Sequence, residues 1–267
     1  MKVGLYASMF GKDPAALPDI ESFIDLAAEL RLDVIDLRSD VGFHDHDSDY
    51  LLKTKLSCLR QGLSIGYLAT VGHFVGTEEE LTQKMDQVRK DIDIAVSLGA
   101  PMVRSFCGET PDSSSARQRE VECFQEVCDY ATGRGIAVGL QNHPCTGDGV
   151  LRLLEEVTRD NFAFILDTGQ WVGSPGRNGG VPDPEIDIYR FMEQTAAHAV
   201  HVRAKFYKID SGAEEWLDYE RIYATLADVG FNGTLSVVFE GKAINTCDDR
   251  EVLRLAAAQL RRLTRRA

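Results

Sequence analysis

No run of 18 apolar residues occurs anywhere in this 267-residue chain, so the sequence offers no membrane-spanning helix. Basic charge is scarce. Twenty-nine Lys and Arg stand against 42 Asp and Glu, a formal charge of −13 that repels phosphate backbones and anionic membrane surfaces and disfavours nucleic acid and membrane as partners. The six cysteines include no CxxC pair and no zinc-ribbon spacing, which points to reduced thiols, several of them buried, rather than disulfides or a thiolate metal centre. The opening MKVGLYASMF is interrupted by GKDP too soon to act as a signal peptide, and a cytoplasmic protein is expected. What the chain does have is apolar content: at 44% hydrophobic residues it can bury a large core.

That apolar content falls into short runs separated by segments of helical period. Strands are expected at Lys2–Ser8, Val34–Arg38, Ser64–Ala69, Met102–Phe106, Ala137–Gln141, Ala163–Asp167, Ala199–Lys205 and Leu235–Glu240, each with the composition of a strand buried on both faces. Between them, Thr77-Glu-Glu-Glu80 forms a capping box for a helix closing at Gly99, and Asp19, Asp218 and Asp248 are placed to cap three others. Further helices fall near Ser48–Gln61, Ser113–Gly133, Gly147–Arg159 and Pro184–His198. Eight strand-then-helix units without a composition break predict parallel strands with helical crossovers, closed into one (β/α)8 TIM barrel spanning residues 1–267. Its functional groups then belong at the C-terminal ends of the strands and in the following loops. Among these, Thr168–Asp183, with WVGSPGRNGG at its heart, is the expected lid.

Period two along the strands sorts the side chains. Asp167 shares a face with Ile165 and Ala163, and Glu240 shares one with Val238 and Ser236. His201, Arg203 and Lys205 fall on one face of the seventh strand and the apolar Val200, Val202 and Ala204 on the other, so the polar three are expected to line the barrel mouth. Gln141 and His143 share a face at the end of the fifth strand, with Asn142 turned off it, and Arg104 precedes Phe106 on the fourth.

The segments LGAPMVRSFCG (98–108), GLQNHP (139–144), FILDTGQ (164–170), HVRAKF (201–206) and GFNGTLSVVFEGK (230–242), in this order and spacing, resemble the sugar-phosphate isomerase/epimerase superfamily with the xylose isomerase-like TIM barrel. The resemblance covers essentially the whole chain. It implies one divalent cation (manganese, magnesium or zinc) held by a Glu ending the fifth strand, an Asp ending the sixth, a His or Gln on the seventh and a Glu ending the eighth. It further implies that the cation polarises a carbonyl while carboxylates shuttle a proton on the adjacent carbon. Asp167 and Glu240 fit this pattern. Gln141 stands where the first Glu is expected and Arg203 where the second His or Gln of the seventh strand is expected. A glutamine carbonyl can still bind a hard cation, but a guanidinium has no lone pair to offer.

Two accounts follow. In one, Asp167, Glu240 and Gln141 hold the metal with His201 or, more easily, His143 completing the shell; in the other, Arg203 replaces it electrostatically, pairing both Asp167 and Glu240. Arg104, Arg203 and Lys205 make the mouth locally basic, which suits an anionic or hydroxyl-rich substrate. Glu240 is the first choice for a base, with Lys205 or His143 as proton donor or oxyanion partner. An inward Lys205 could instead be a salt-bridge partner of Asp167. His73, Trp171 and His201 are the further substrate-facing positions, although a His as deep as His201 is more often a core residue. His44 and His46 in FHDHDSD are expected to be solvated rather than to hold a metal. The expected activity is removal of a proton beside a carbonyl in a small sugar-like compound, as an isomerase or epimerase. A lyase or dehydratase using the same enolate is the alternative; a non-catalytic sugar-binding relative and a three-zinc DNA-repair endonuclease rank below it, six histidines being few for the last. A homo-oligomer is left open.

Overall fold

The structure is a computed structural model, which describes residues 1–7, 19–70, 72–108, 113–241 and 243–265. Ser8 and Lys242, at the ends of two of the segments above, lie outside the described residues. The chain runs β1 (Lys2–Tyr6), α1 (Ile20–Glu29), β2 (Val34–Arg38), α2 (Ser48–Arg60), β3 (Ser64–Ala69), α3 (Glu78–Leu98), β4 (Met102–Cys107), α4 (Ser114–Thr132), β5 (Ala137–Asn142), α5 (Gly147–Val157), β6 (Phe162–Asp167), α6 (Ile188–Thr195), β7 (Ala199–Phe206), α7 (Tyr219–Asp228), β8 (Thr234–Phe239) and α8 (Asp249–Thr264). Every strand pairs in parallel with its sequence neighbour, and β1 pairs with β8, so the sheet closes on itself and has no edge.

Local chemistry sets the helix starts. Thr77 accepts from the Glu80 N–H while Glu80 reaches back to the Thr77 N–H, and the Asp19, Asp218 and Asp248 carboxylates cap α1, α7 and α8. α3 stops at Gly99, whose φ of 76° lies in the left-handed region. The helix expected from Pro184 starts instead at Ile188, because the Asp187 side chain caps the Tyr189 N–H; its tail tightens into a 3₁₀ turn at Ala196–His198.

The main core lies between the strands and the helix shell, where Phe23, Ile92, Phe124, Val202 and Leu260 are fully buried. A second, smaller cluster fills the barrel itself: Tyr6, Tyr67, Ala69, Met102, Ile165 and Val238. Just below it, β2 and β3 shift register between Ile35 and Leu37, so that Gly66 and Tyr67 together oppose Asp36. This bulge turns Tyr67 into the interior beside the polar groups described next. All the cysteines are free thiols, five of them buried. No helix among the described residues is long and apolar enough to cross a membrane.

Candidate active site

The polar groups of the barrel interior are stacked in levels, as the period of two requires. At the lowest level, His201 donates or accepts at Asp36 Oδ2 (2.9 Å) and Ser236 Oγ (3.1 Å), with Tyr67 edge-on at 5.1 Å. His201 is thus a satisfied interior residue below the mouth rather than a substrate contact, one strand step beneath Arg203.

One level up, Asp167 is fully buried and hydrogen-bonded at both oxygens. Its Oδ2 accepts from Arg203 Nε (2.9 Å) and Gln141 Nε2 (2.9 Å) and lies 3.6 Å from Lys205 Nζ; its Oδ1 accepts from the Gly169 N–H (3.0 Å). Asn142 fixes the Asp167 backbone, accepting its N–H at 2.8 Å and donating to its carbonyl at 2.9 Å. The other end of the Gln141 amide is also taken: its Oε1 accepts from Arg104 Nη1 at 2.5 Å. Arg203 completes the level, donating to the Tyr67 hydroxyl and lying 4.0 Å from the centre of the Tyr6 ring. Burial opposes its charge, but Tyr67, Asp167 and Tyr6 around it hold its pKa well above the ordinary value.

At the top level, Lys205 Nζ donates to Glu240 Oε1. Lys205 is 1% exposed, whereas the Glu240 side chain is 39% exposed. Gln170 and Arg177 continue the chain outward: Gln170 Nε2 donates to Glu240 Oε2 at 3.4 Å, and Arg177 Nη1 donates to Gln170 Oε1 at 3.3 Å. Gly169 is required here, since a Cβ would lie 2.6 Å from Lys205 Cγ.

These groups open into a cavity of about 1460 Å³ at the C-terminal ends of the strands. Tyr6, Arg104, His143, Arg203, Lys205 and Glu240 line its floor and one side. Arg38, Ser39, His46, Thr70 and Asp91 line a lobe toward α3. His73 stacks on Phe106 (5.6 Å, 11° between planes) and His143 is tilted against the same ring (5.1 Å). Burial pushes the His143 imidazole below its usual pKa, and it does the same to His73, helped there by Lys84.

Two expectations are corrected. Trp171 is fully buried between Phe164 and Phe191 and takes no part in lining the cavity. Its loop is a packed wall: Trp171 N–H donates to Ser174 Oγ, Pro175–Arg177 forms a 3₁₀ turn, and Gly176 lies against the Tyr207 ring. Arg203 does not bridge the two carboxylates either; it pairs with Asp167, and Lys205 takes Glu240. Tyr6, Arg38 and Tyr67 were not anticipated, although Gly4–Tyr6 and Asp36–Arg38 carry the same period-two signal. Burial alone would raise the Tyr6 pKa, but Arg104, Arg203, Arg38 and Lys205 outweigh it and lower it.

The donor set does not fit a divalent cation. Both oxygens of Asp167 and the Gln141 carbonyl already accept hydrogen bonds, two of these from guanidinium groups, and three cations stand where a metal would bring a fourth positive centre. Among the described residues, the one group of three His, Cys, Asp or Glu side chains with ligand atoms close enough to hold an ion is Asp19, Glu21 and His44, at the surface. There the Asp19 side chain is occupied in capping α1.

Residues 24–263 match the family model of the xylose isomerase-like TIM barrel. No curated protein matches the sequence. Among solved structures, D-psicose 3-epimerase with D-tagatose from Clostridium cellulolyticum H10 superposes with a TM-score of 0.76 at 16% identity, covering 99% of this chain and 98% of that one. L-ribulose 3-epimerase gives 0.74 at 16% identity, over 98% of this chain and 93% of its own. The IolI protein with a bound zinc atom gives 0.75 at 15% identity, over 98% of each chain. At such identities the likeness establishes the fold.

Proposed function

The chain belongs to the xylose isomerase-like TIM-barrel family, and from that premise we propose that it moves a proton at the carbon beside the carbonyl of a small polyhydroxylated compound, as a sugar isomerase or epimerase does. The observation that carries this reading is the Glu240–Lys205 pair: a half-exposed carboxylate at the cavity floor, bonded to an ammonium that is itself buried. Glu240 takes the proton of the C–H bond. The electron pair of that bond becomes the new C=C bond while the carbonyl π pair moves onto oxygen, and the Lys205 ammonium beside it stabilises the enolate oxygen or protonates it. Delivery of a proton to the same carbon from the opposite face, by a group other than Glu240, and return of the enolate oxygen to a carbonyl give an epimer; delivery to the former carbonyl carbon, as the hydroxyl on the first carbon loses its proton and becomes the new carbonyl, gives an isomer. His143, neutral through its burial, is the further group on the cavity wall able to carry a proton. Arg203, held by Asp167, supplies a fixed positive charge below the reacting oxygen, and no step is routed through a metal. The neighbouring folds named above, two of them ketose 3-epimerases, support this reading.

The test is solvent exchange. Protein purified without chelators is incubated in D₂O with neutral ketoses, keto sugar acids and ketose phosphates, and deuterium at the carbon beside the carbonyl is followed by proton NMR. Exchange that Glu240→Gln abolishes is expected; no exchange across the panel, or exchange untouched by the substitution, overturns the proposal. Loss of water from the product, in place of an epimer or isomer, would assign a dehydratase using the same first step.

A further inference from the structure

Five cationic side chains line the mouth cavity: the exposed Lys90 of α3 and four that are at least partly buried, Arg38, Arg104, Arg203 and Lys205. Of these four, three have a carboxylate of their own. Arg38 is held by both oxygens of Asp40 (2.9 and 2.7 Å), Arg203 by Asp167 and Lys205 by Glu240. Arg104 is the exception. It is 9% exposed, no carboxylate among the described residues lies within ion-pair distance, and its one side-chain hydrogen bond goes to a neutral amide, Gln141 Oε1. Its Nε is buried without a partner. The Phe106 and Tyr6 rings lie 5.4 and 6.0 Å from the guanidinium, and the Tyr6 phenol, whose pKa Arg104 helps to lower, favours its charge without being a carboxylate. Burial lowers the pKa of Arg104, as expected of a charge without a local counter-charge.

A buried guanidinium left with a bare Nε at the wall of an open cavity is half of a charge pair. Nη1 is committed to Gln141 and Nε is shut off from solvent, so the part of the guanidinium that lines the cavity is left to meet an oxygen of a carboxylate. We propose that Arg104 is the anchor for a carboxylate on the substrate, which makes the substrate a keto sugar acid rather than a neutral ketose. This rests on the cavity being the substrate site, as proposed above. Arg104 then fixes one end of the molecule while Glu240 and Lys205 address its carbonyl.

The test uses ligands that cannot react, so it is independent of turnover. D-gluconate and D-glucitol share a six-carbon polyol chain and differ at one end, carboxylate against hydroxymethyl; neither has a carbonyl. Calorimetric titration of the wild-type protein should give gluconate at least about tenfold tighter binding than glucitol. In Arg104→Gln, which keeps a donor for Gln141, that ratio should fall toward one. Equal binding of the two polyols by the wild-type protein, or a preference that survives Arg104→Gln, overturns the proposal. D-glucitol 6-phosphate is the third arm; tighter, Arg104-dependent binding of this ester than of gluconate would overturn the carboxylate in favour of a phosphate. Thermal unfolding separates binding from folding. Removing a buried charge without a counter-charge should leave the midpoint of Arg104→Gln at or above that of the wild type. A fall of several degrees, with both polyols bound equally weakly, would make Arg104 a structural residue and overturn the anchor.

Discussion

Two ion pairs cross from β7 to its neighbours one strand step apart, and they behave as different objects. In the lower, Asp167 and Arg203 are 0% and 3% exposed, and both oxygens of the carboxylate accept hydrogen bonds. In the upper, Lys205 is equally buried, but Glu240 reaches the cavity with a side chain 39% exposed. Hydration cannot replace the partner of a group sealed from water, so the lower pair is a fixed part of the frame. The upper pair can part at little loss on the Glu240 side, which is what a base must do each time it takes and returns a proton.

The sharpest way to break this contrast is to rebuild the lower pair as a metal site. Replacing Gln141 with Glu and Arg203 with His together removes the guanidinium and adds an anionic ligand, giving a donor set of two carboxylates and an imidazole. The double variant should retain about one manganese or zinc ion per chain after dialysis, measured by elemental analysis, and the parent none. A parent that keeps a stoichiometric ion would abolish the distinction between the pairs.

At the upper pair, Glu240→Gln should lower proton exchange by roughly 10²–10⁴-fold, read from deuterium incorporation, while the amide oxygen still accepts from Lys205 and the fold survives. At the lower pair, Arg203→Met should cost roughly 3 kcal/mol of stability in urea unfolding at pH 7, because it removes the nearer of the two cations that hold the buried Asp167 carboxylate. If the two substitutions destabilise equally, the assignment of frame and reagent fails.

Another buried carboxylate extends the comparison to one with no cation paired to it among the described residues. Glu214 is held by the backbone N–H groups of Tyr207 (2.7 Å) and Trp216 (3.0 Å), and burial pushes its pKa up to about 7 in spite of them. With its folded value above the ordinary 4.5, the native state binds the proton more tightly than the unfolded chain. Its contribution is therefore complete below about pH 4.5 and is lost as pH rises through about 7. Glu214→Gln should remove a decline on the order of 2–3 kcal/mol between those limits, seen as a flatter stability profile against pH.

Much of this was legible in the sequence. The alternation of His201, Arg203 and Lys205 with Val200, Val202 and Ala204 placed three polar groups inside the barrel, because a strand's period of two has no other reading there. Helix starts were equally legible, since a cap is local chemistry: Thr77, Asp19, Asp218 and Asp248 all act as expected. What sequence spacing does not carry is which inward groups pair across strands. Whether Asp167 takes Arg203, Lys205 or both depends on the stagger of β6 and β7, whose register shifts between Phe164 and Ile165. Tyr67 entered unseen because the β3 bulge breaks the period that sorts faces. Trp171 was misplaced for a related reason: glycine-rich composition reveals a loop, and says nothing about which of its side chains is tucked beneath it.

The Gln141 amide has its oxygen toward Arg104 and its nitrogen toward Asp167, so it works as a neutral spacer between a cation and an anion. Acceptor at one end and donor at the other, it suits both neighbours at once, which neither a carboxylate nor an ammonium could do.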